Sequence, residues 1–267
     1  MHAYRLLIDV GNTNTKLGVA QGHVVLKSFV LPTHAQDTVD TFGLRIMDIF
    51  THMQISPRHM QAWVISSVVP QQNNLIRLAG EKYSECPVYF VPEDIPLPLE
   101  NRYANPQEVG ADRLVTAYAA RQLFSSSGLM VIDFGTATTL ECIQDHAYLG
   151  GLICPGVFSS LWALAGRTAK LPRISLQRKI PGLEIGQSTA ESMNQGFLYG
   201  FASMIEGLCT QLQTFLSPPV TVVATGGFAS ALSPLCPCLQ VIREDLLVQG
   251  LLMAHQKECA EGTKRAR

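Results

Sequence analysis

Two short stretches of the chain carry the same grouping of side chains that can do chemistry. The first, "LLIDVGNTNTKLGVA" at residues 6–20, runs from an apolar strand into Asp9, Val10, Gly11, Asn12, Thr13, Asn14, Thr15 and Lys16 before apolar residues return. The second, "LMVIDFGTATTLEC" at residues 129–142, places Asp133, Gly135 and Thr136 beyond another apolar strand. A glycine after a buried strand lets backbone N–H groups approach a ligand closely, and hydroxyls beside it add donors, a combination that suits phosphate oxygens. Lys16 adds a positive charge, and Asp9 at a strand end can hold Mg²⁺, often through water. A single turn of this kind is equally an ordinary hairpin whose threonines satisfy their own backbone. Two of them, with an acid at the same place in each, point to a phosphate-and-metal site.

Two further stretches bear on the same chemistry. In "VTVVATGGFA", Gly226 and Gly227 follow a third apolar run and leave room for a flat base or a ribose. In "YANPQEVGADRLVTAYAA", Asp112 and Arg113 stand just before a helical stripe at Leu114, Val115 and Tyr118. Opposite charges at a helix start are commonly structural. Yet Gly110 and the loop before it leave Asp112 open, where its carboxylate can take a proton from an alcohol and Arg113 can hold a substrate carboxylate. The residues alone leave both explanations of Asp112 open. No G-x-x-x-x-G-K-[ST] and no G-x-G-x-x-G occurs, so P-loop and dinucleotide-binding readings lack support.

The elements that must position these groups follow from periodicity. Aligning Asp9 with Asp133 also aligns Ile8 with Ile132 and Gly11 with Gly135, at an offset close to half the chain, which predicts two similar halves. After the opening hairpin, "HVVLKSFVLP" reads as a strand, "DTVDTFGLRIMDIFTHM" as a helix, "QAWVISSVVP" as a strand, "QNNLIRLAGEKY" as a helix and "PVYFVP" as a strand. That order predicts an α/β fold with a mixed sheet. Residues 92–106, with four prolines and no periodicity, read as a loop crossing between the halves, which gives domains at 1–109 and 110–267. A long helix is expected after Ser188, which with Glu191 makes a capping box. Met193, Phe197, Phe201, Met204, Leu208, Leu212 and Phe215 form its apolar stripe. Gly196, Gly200 and Gly207 interrupt that stripe and suit close approach of another backbone, such as a second subunit. A strand and a final helix near residues 244–257 end the pattern.

Composition excludes several classes. The 267 residues are 47% hydrophobic and 15% charged, a globular balance, and the formal net charge of −1 gives no broad attraction to nucleic acid or to an anionic membrane. No run of 18 apolar residues exists to span a membrane, and the N-terminus lacks a signal-peptide pattern, so a cytoplasmic protein is expected. Seven scattered cysteines fit a reducing compartment. Cys236-Pro237-Cys238 is too tight for a zinc pair and reads as loop and core cysteines. The C-terminal "KRAR" reads as a solvated end.

Taken together, "DVGNTNTK", "SSVVP", "GADR", "DFGTATT", "GGLICPG", "TAKLP" and "IGQSTAESMNQG" resemble, in order, the motifs of type III pantothenate kinases, from residue 6 to about residue 250. The resemblance implies the acetate and sugar kinase, Hsp70 and actin superfamily fold: two related ribonuclease H-like (actin-like ATPase) α/β domains with mixed sheets and nucleotide in the cleft between them. It implies ATP-dependent phosphorylation of the primary hydroxyl of pantothenate, the first step of coenzyme A biosynthesis. Asp9 to Lys16 would then bind the ATP phosphates, with Asp9 near Mg²⁺, and Thr136 would contact ATP. Asp112 resembles the general base. Tyr103, Gly110, Ala111, Asp112, Arg113 and Thr189 match substrate-binding positions, and Asp133 matches a ligand of a monovalent cation, K⁺ or NH₄⁺. The family is typically homodimeric. Alternatives are another small-molecule kinase of the superfamily, for a sugar or acetate, and an accessory factor for transcription.

Overall fold

The computed structural model describes residues 3–176 and 182–265. The chain opens with β1 (Tyr4–Val10), β2 (Asn14–Gln21) and β3 (Val24–Pro32), then α1 (Val39–His52), β4 (Met60–Ser67), α2 (Pro70–Ser84) and β5 (Val88–Phe90). It continues through β6 (Glu100–Asn101) and α3 (Ala111–Leu123) to β7 (Gly128–Phe134), β8 (Ala137–Gln144) and β9 (Ala147–Pro155). After α4 (Val157–Arg167) and α5 (Thr189–Gln213) come β10 (Val220–Thr225), α6 (Ala229–Leu232), β11 (Val241–Ile242) and α7 (Leu246–Arg265). The chain forms two compact units. The first takes residues up to Pro98, Asn105–Ala119 and the segment from Leu246 on; the second takes Leu99–Ala104 and Ala120–Asp245.

The first unit has a five-stranded sheet in the order β3-β2-β1-β4-β5. β1 is antiparallel to β2 and parallel to β4. It is covered on both faces, so Leu6, Leu7 and Ile8 run consecutively apolar and are buried. On one face, α1 contributes Phe42, Ile46, Ile49 and Phe50 to a core with Leu6, Ile8 and Trp63. The start of α1 is fixed by a capping box between Thr38 and Thr41. Leu7, Ala20 and Val64 pack instead with Val115 and Tyr118 of α3 and with Val248, Leu251 and Leu252 of α7.

This return of α7 is why a single boundary between residues 109 and 110 does not describe the units. Two glycines seat the helix. A Cβ on Gly18 would come within 2.3 Å of Val248 Cγ1, and one on Gly250 within 2.7 Å of the Val115 carbonyl oxygen. The apolar pattern of a terminal helix announces a buried face but not which sheet buries it. The helix also runs through Arg265, so the "KRAR" tail is helical over Lys264 and Arg265; its last two residues lie outside the described residues.

The second unit repeats the arrangement. Its sheet runs β11-β10-β7-β8-β9-β6, again an antiparallel meander flanked on its first strand by a parallel neighbour, with β6 added at the edge beside β9. The registers expose one difference between the repeats. Asp9 stands opposite Lys16, whereas Asp133 stands opposite Thr139, so the second turn is one residue shorter and has no lysine at the matching place.

The capping box of Ser188 and Glu191 starts α5, as the sequence predicts. The expected stripe is only partly taken into the core of the unit. Met193, Leu198, Ala202, Ile205 and Cys209 are buried. Phe197, Phe201, Met204, Leu208 and Leu212 are only half-buried, and Phe215 lies beyond the helix end, 78% exposed.

Candidate active site

The first polar turn sits at the C-terminal end of β1, with Asp9 half-buried and Asn12, Thr13 and Asn14 exposed. The turn is tight. The Gly11 amide donates to the Asn14 carbonyl at 3.1 Å, and a Cβ on Gly11 would lie 2.9 Å from that oxygen. Thr33, which sequence reasoning did not single out, braces the turn from the end of β3. Its hydroxyl donates to the Gly11 carbonyl at 2.7 Å and its amide donates to the Thr13 carbonyl at 3.0 Å. Thr15 is buried, with its hydroxyl 2.9 Å from that of Thr33, so it stiffens the turn rather than facing a ligand. Val10 is likewise buried, and only its backbone is available. Asn12, Thr13, Asn14 and Lys16 are left with side chains that reach solvent.

The same sheet end gathers the second group. The Val10 carbonyl accepts from the Val68 amide at 3.0 Å, and Val68 packs against Gly110. Gly110 lets both neighbours come close: a Cβ would lie 2.4 Å from Asp112 Oδ1 and 3.2 Å from Val68 Cγ1. Asp112 occupies the first turn of α3, and its Oδ1 accepts from the Arg113 amide at 2.8 Å. A carboxylate is favoured at a helix N-terminus. Arg113 is buried, while Ala111 and Asp112 are half-buried. Asp9 and Asp112 thus belong to one end of one sheet, the carboxyl end of the parallel pair β1 and β4, where ligands bind in open α/β sheets.

In the second unit Asp133 ends β7 and faces Gly226. That glycine has φ +88°, and a Cβ on it would lie 2.4 Å from Asp133 Oδ1 and 2.6 Å from the Phe134 carbonyl oxygen. Gly226 therefore serves close approach to Asp133, and the open space expected of the Gly-Gly pair lies at Gly227, where a would-be Cβ meets nothing within 4 Å. Thr136 is exposed. Its carbonyl accepts from the Ser159 hydroxyl at 2.7 Å, and Gly156 permits that contact because a Cβ there would lie 2.1 Å from the same oxygen. The Asp133 carboxylate and the Phe134 carbonyl thus bring two oxygen donors up to the same glycine.

Two elements missed by sequence reasoning complete the repeat. Ser66 stands opposite Asp9 in the β1–β4 register, and Thr225 stands opposite Asp133 in the β7–β10 register. Both are buried, and the Ser66 hydroxyl has no hydrogen-bond partner among the described residues. The only hint was the small-residue end of "QAWVISSVVP". Tyr103 lies against Gly150, whose φ of +114° and missing Cβ admit the ring, and its centroid is 6.4 Å from that of Tyr148. Tyr148 in turn donates to the buried Glu141 at 2.6 Å. Thr189 is exposed at the start of α5 and borders an apolar cavity of about 550 Å³ with Leu164, Met193, Phe197 and Phe201. Among the described residues no group of three or more His, Cys, Asp or Glu could hold a metal ion by itself.

A family model described as type III pantothenate kinase matches residues 5–211. The chain belongs to that family. It is 50% identical over 258 residues to "Type III pantothenate kinase" of Oleidesulfovibrio alaskensis, covering 96% of this chain and 98% of that one. The protein of the same name from Nitratidesulfovibrio vulgaris, strain Miyazaki F, is 51% identical over 256 residues, with 96% and 98% covered. That from Myxococcus xanthus is 39% identical, with 96% and 99% covered. Among solved structures, a Campylobacter jejuni protein described as a Baf family transcriptional activator aligns with TM-score 0.60 at 16% identity, over 96% of this chain and 99% of that one. A Listeria monocytogenes protein described as an N-acetylmannosamine kinase aligns with TM-score 0.52 at 12% identity, covering 96% and 99%. These likenesses establish the fold of this type III pantothenate kinase family member: α/β, with two mixed sheets of the actin-like ATPase kind. No helix among its described residues is long and apolar enough to cross a membrane.

Proposed function

We infer that this protein transfers the γ-phosphoryl group of ATP to the primary hydroxyl of pantothenate, the opening step of coenzyme A biosynthesis. Family membership supplies the reaction. The observation that carries the assignment of residues is the end of the first sheet, where the glycine turn after Asp9 and the carboxylate of Asp112 stand together. Phosphoryl transfer depends mostly on positioning and charge neutralisation, with little covalent work for the protein.

In this reading the turn from Asp9 to Lys16 holds the ATP phosphates through backbone amides, the exposed side chains of Asn12, Thr13 and Asn14, and the Lys16 ammonium. Thr136 adds a contact to ATP. Asp9 suits Mg²⁺, which takes one or two carboxylates beside phosphate and water oxygens and, when bound, offsets phosphate charge. Asp112 accepts a hydrogen bond from the pantothenate hydroxyl, orients it and takes its proton. Gly110, Ala111 and Arg113 are assigned to pantothenate, with the Arg113 guanidinium as the partner of its carboxylate, and Tyr103 and Thr189 are assigned as further substrate contacts. Asp133 with the Phe134 carbonyl holds K⁺ or NH₄⁺.

We also propose that the protein works as a homodimer. The support is the outer side of α5, where Gly196, Gly200 and Gly207 have nothing within 4 Å of a would-be Cβ and half-buried Phe197, Phe201 and Met204 border the apolar cavity. Exposed Trp162, Leu164 and Phe158 of α4 extend the apolar surface of this unit. Contiguous exposed apolar residues of this kind favour a protein partner over water.

ADP release, followed with pantothenate, with common sugars and with acetate as acceptors, tests the reaction. Release dependent on pantothenate is expected. Release with a sugar or acetate alone would move the protein to another kinase of the fold, and none with any acceptor would favour a regulatory role.

A further inference from the structure

Five of the seven cysteines belong to the core of the second unit. Cys142, Cys209 and Cys236 are buried in it, and Cys154 and Cys238 pack at its edge. Three of them converge, although the chain separates Cys209 on α5 from the Cys236-Pro237-Cys238 turn by a whole strand and a short helix. The Cys236 and Cys238 sulfurs are 3.3 Å apart, and Cys209 is within hydrogen-bonding reach of Cys238. The Cys236 sulfur also lies 3.7 Å from the Ala202 carbonyl oxygen of α5.

The three thiols are not equivalent. Cys209 and Cys236 are buried, whereas Cys238 is partly open to solvent. Hydrogen bonds from the Cys209 and Cys236 thiols stabilise negative charge on the Cys238 sulfur and draw its pKa well below the ordinary thiol range. The two donors are pushed the opposite way, first by that bond to Cys238 and then by burial. An accessible thiolate beside a buried protonated thiol is the arrangement of an attacking and a resolving cysteine.

We propose that Cys238 is a peroxide-reactive thiol and that Cys236 resolves its oxidised form as an intrachain disulfide. The Cys238 thiolate attacks one peroxide oxygen, an S–O bond forms, the O–O bond breaks, and the departing hydroxide is protonated to water. The Cys236 sulfur, losing its proton, then attacks the Cys238 sulfenic sulfur. An S–S bond forms, the S–O bond breaks, and a second water leaves. Two thiols and one hydrogen peroxide give one disulfide and two waters, and an external dithiol reverses the change.

The test treats the full-length protein with a small excess of hydrogen peroxide, blocks free thiols by alkylation and maps the digest. The expected product has lost two hydrogens, carries a Cys236–Cys238 bridge and returns to the starting mass with dithiothreitol. Cys238→Ser should abolish the bridge and Cys259→Ser, which removes an exposed thiol elsewhere, should leave it. Because Cys238→Ser could disturb the core, a second measurement uses the unaltered protein. Iodoacetamide should modify Cys238 at least about tenfold faster than Cys86 or Cys142, whose thiols burial pushes up to about 11. A bridge from Cys238 to Cys209, oxidation confined to Cys259, sulfinic acid without a disulfide, or alkylation of Cys238 no faster than of Cys142 would each overturn the proposal.

Discussion

His255 offers a quantitative test of how α7 is seated on the first sheet. The ring is 5% exposed, with the Tyr89 ring centroid 5.5 Å away and the Arg5 Nε–H donating to Nδ1 at 3.0 Å. Nδ1 must therefore carry a lone pair, and the folded state holds the neutral ring. Burial, and then the adjacent Arg5 charge, lower the His255 pKa from 6.5 to about 4. In the unfolded chain the ring takes up its proton near pH 6.5; in the folded chain it resists until about pH 4. Between these values the unfolded chain binds more protons, so stability is complete above pH 6.5 and declines as pH falls toward 4. Each pH unit across the window costs about 1.4 kcal/mol, which brings the loss to about 3 kcal/mol, a large share of the roughly 5–15 kcal/mol that holds a domain folded. Urea unfolding of the wild type and of His255→Gln, which keeps an acceptor for Arg5 but cannot titrate, isolates the effect, because other titrations cancel in the difference. The stability advantage of the wild type over the variant should shrink by about 3 kcal/mol between pH 7 and pH 4. Parallel pH curves for the two proteins would refute the reasoning.

Three other outcomes follow from the same geometry. Gly226→Ala should cost roughly 1–3 kcal/mol in thermal or urea unfolding, since its Cβ meets Asp133 and a backbone carbonyl at a positive φ; an unchanged melt would contradict the close approach. Asp133→Ala should abolish or strongly weaken activation by K⁺ or NH₄⁺ while the protein stays folded, and a cation titration identical to wild type would remove Asp133 from that role. Sedimentation at micromolar concentration should show a dimer that dissociates when Gly200 is replaced by a bulky charged residue, and a stable active monomer would refute the assembly.

Much of this arrangement was legible in the sequence where local chemistry decides structure. The repeated strand-Asp-x-Gly pattern announced two matching sheets because a buried strand and its polar turn are specified by a handful of neighbouring residues. The Ser188–Glu191 capping box was equally local. The illegible parts were those settled by distant segments. Thr15 looked like a ligand donor, but Thr33, from the far end of β3, turns it into a brace. The apolar stripe of α5 gave the helical spacing correctly, but the division between residues buried in the unit and those left half-buried is not written in that spacing. The return of α7 to the first unit and the meeting of Cys209 with Cys236 and Cys238 are likewise products of topology, which no spacing along the chain encodes.

The most direct measurement of the central claim is kcat for Asp112→Asn, taken beside a thermal melt. The substitution preserves size and hydrogen bonding but cannot take up the pantothenate proton, and it leaves Asp9, the Gly11–Asn14 turn and Lys16 in place. General-base removal typically costs about 10² to 10⁴ in rate, so kcat should fall by at least about a hundredfold, with ATP binding little changed and the fold intact. A carboxylate in the first turn of a helix can also serve only to offset the helix dipole, and that role has a different signature: loss of up to about 1 kcal/mol of stability. A variant that melts earlier yet keeps more than about a tenth of wild-type kcat would contradict the assignment of Asp112 as the base.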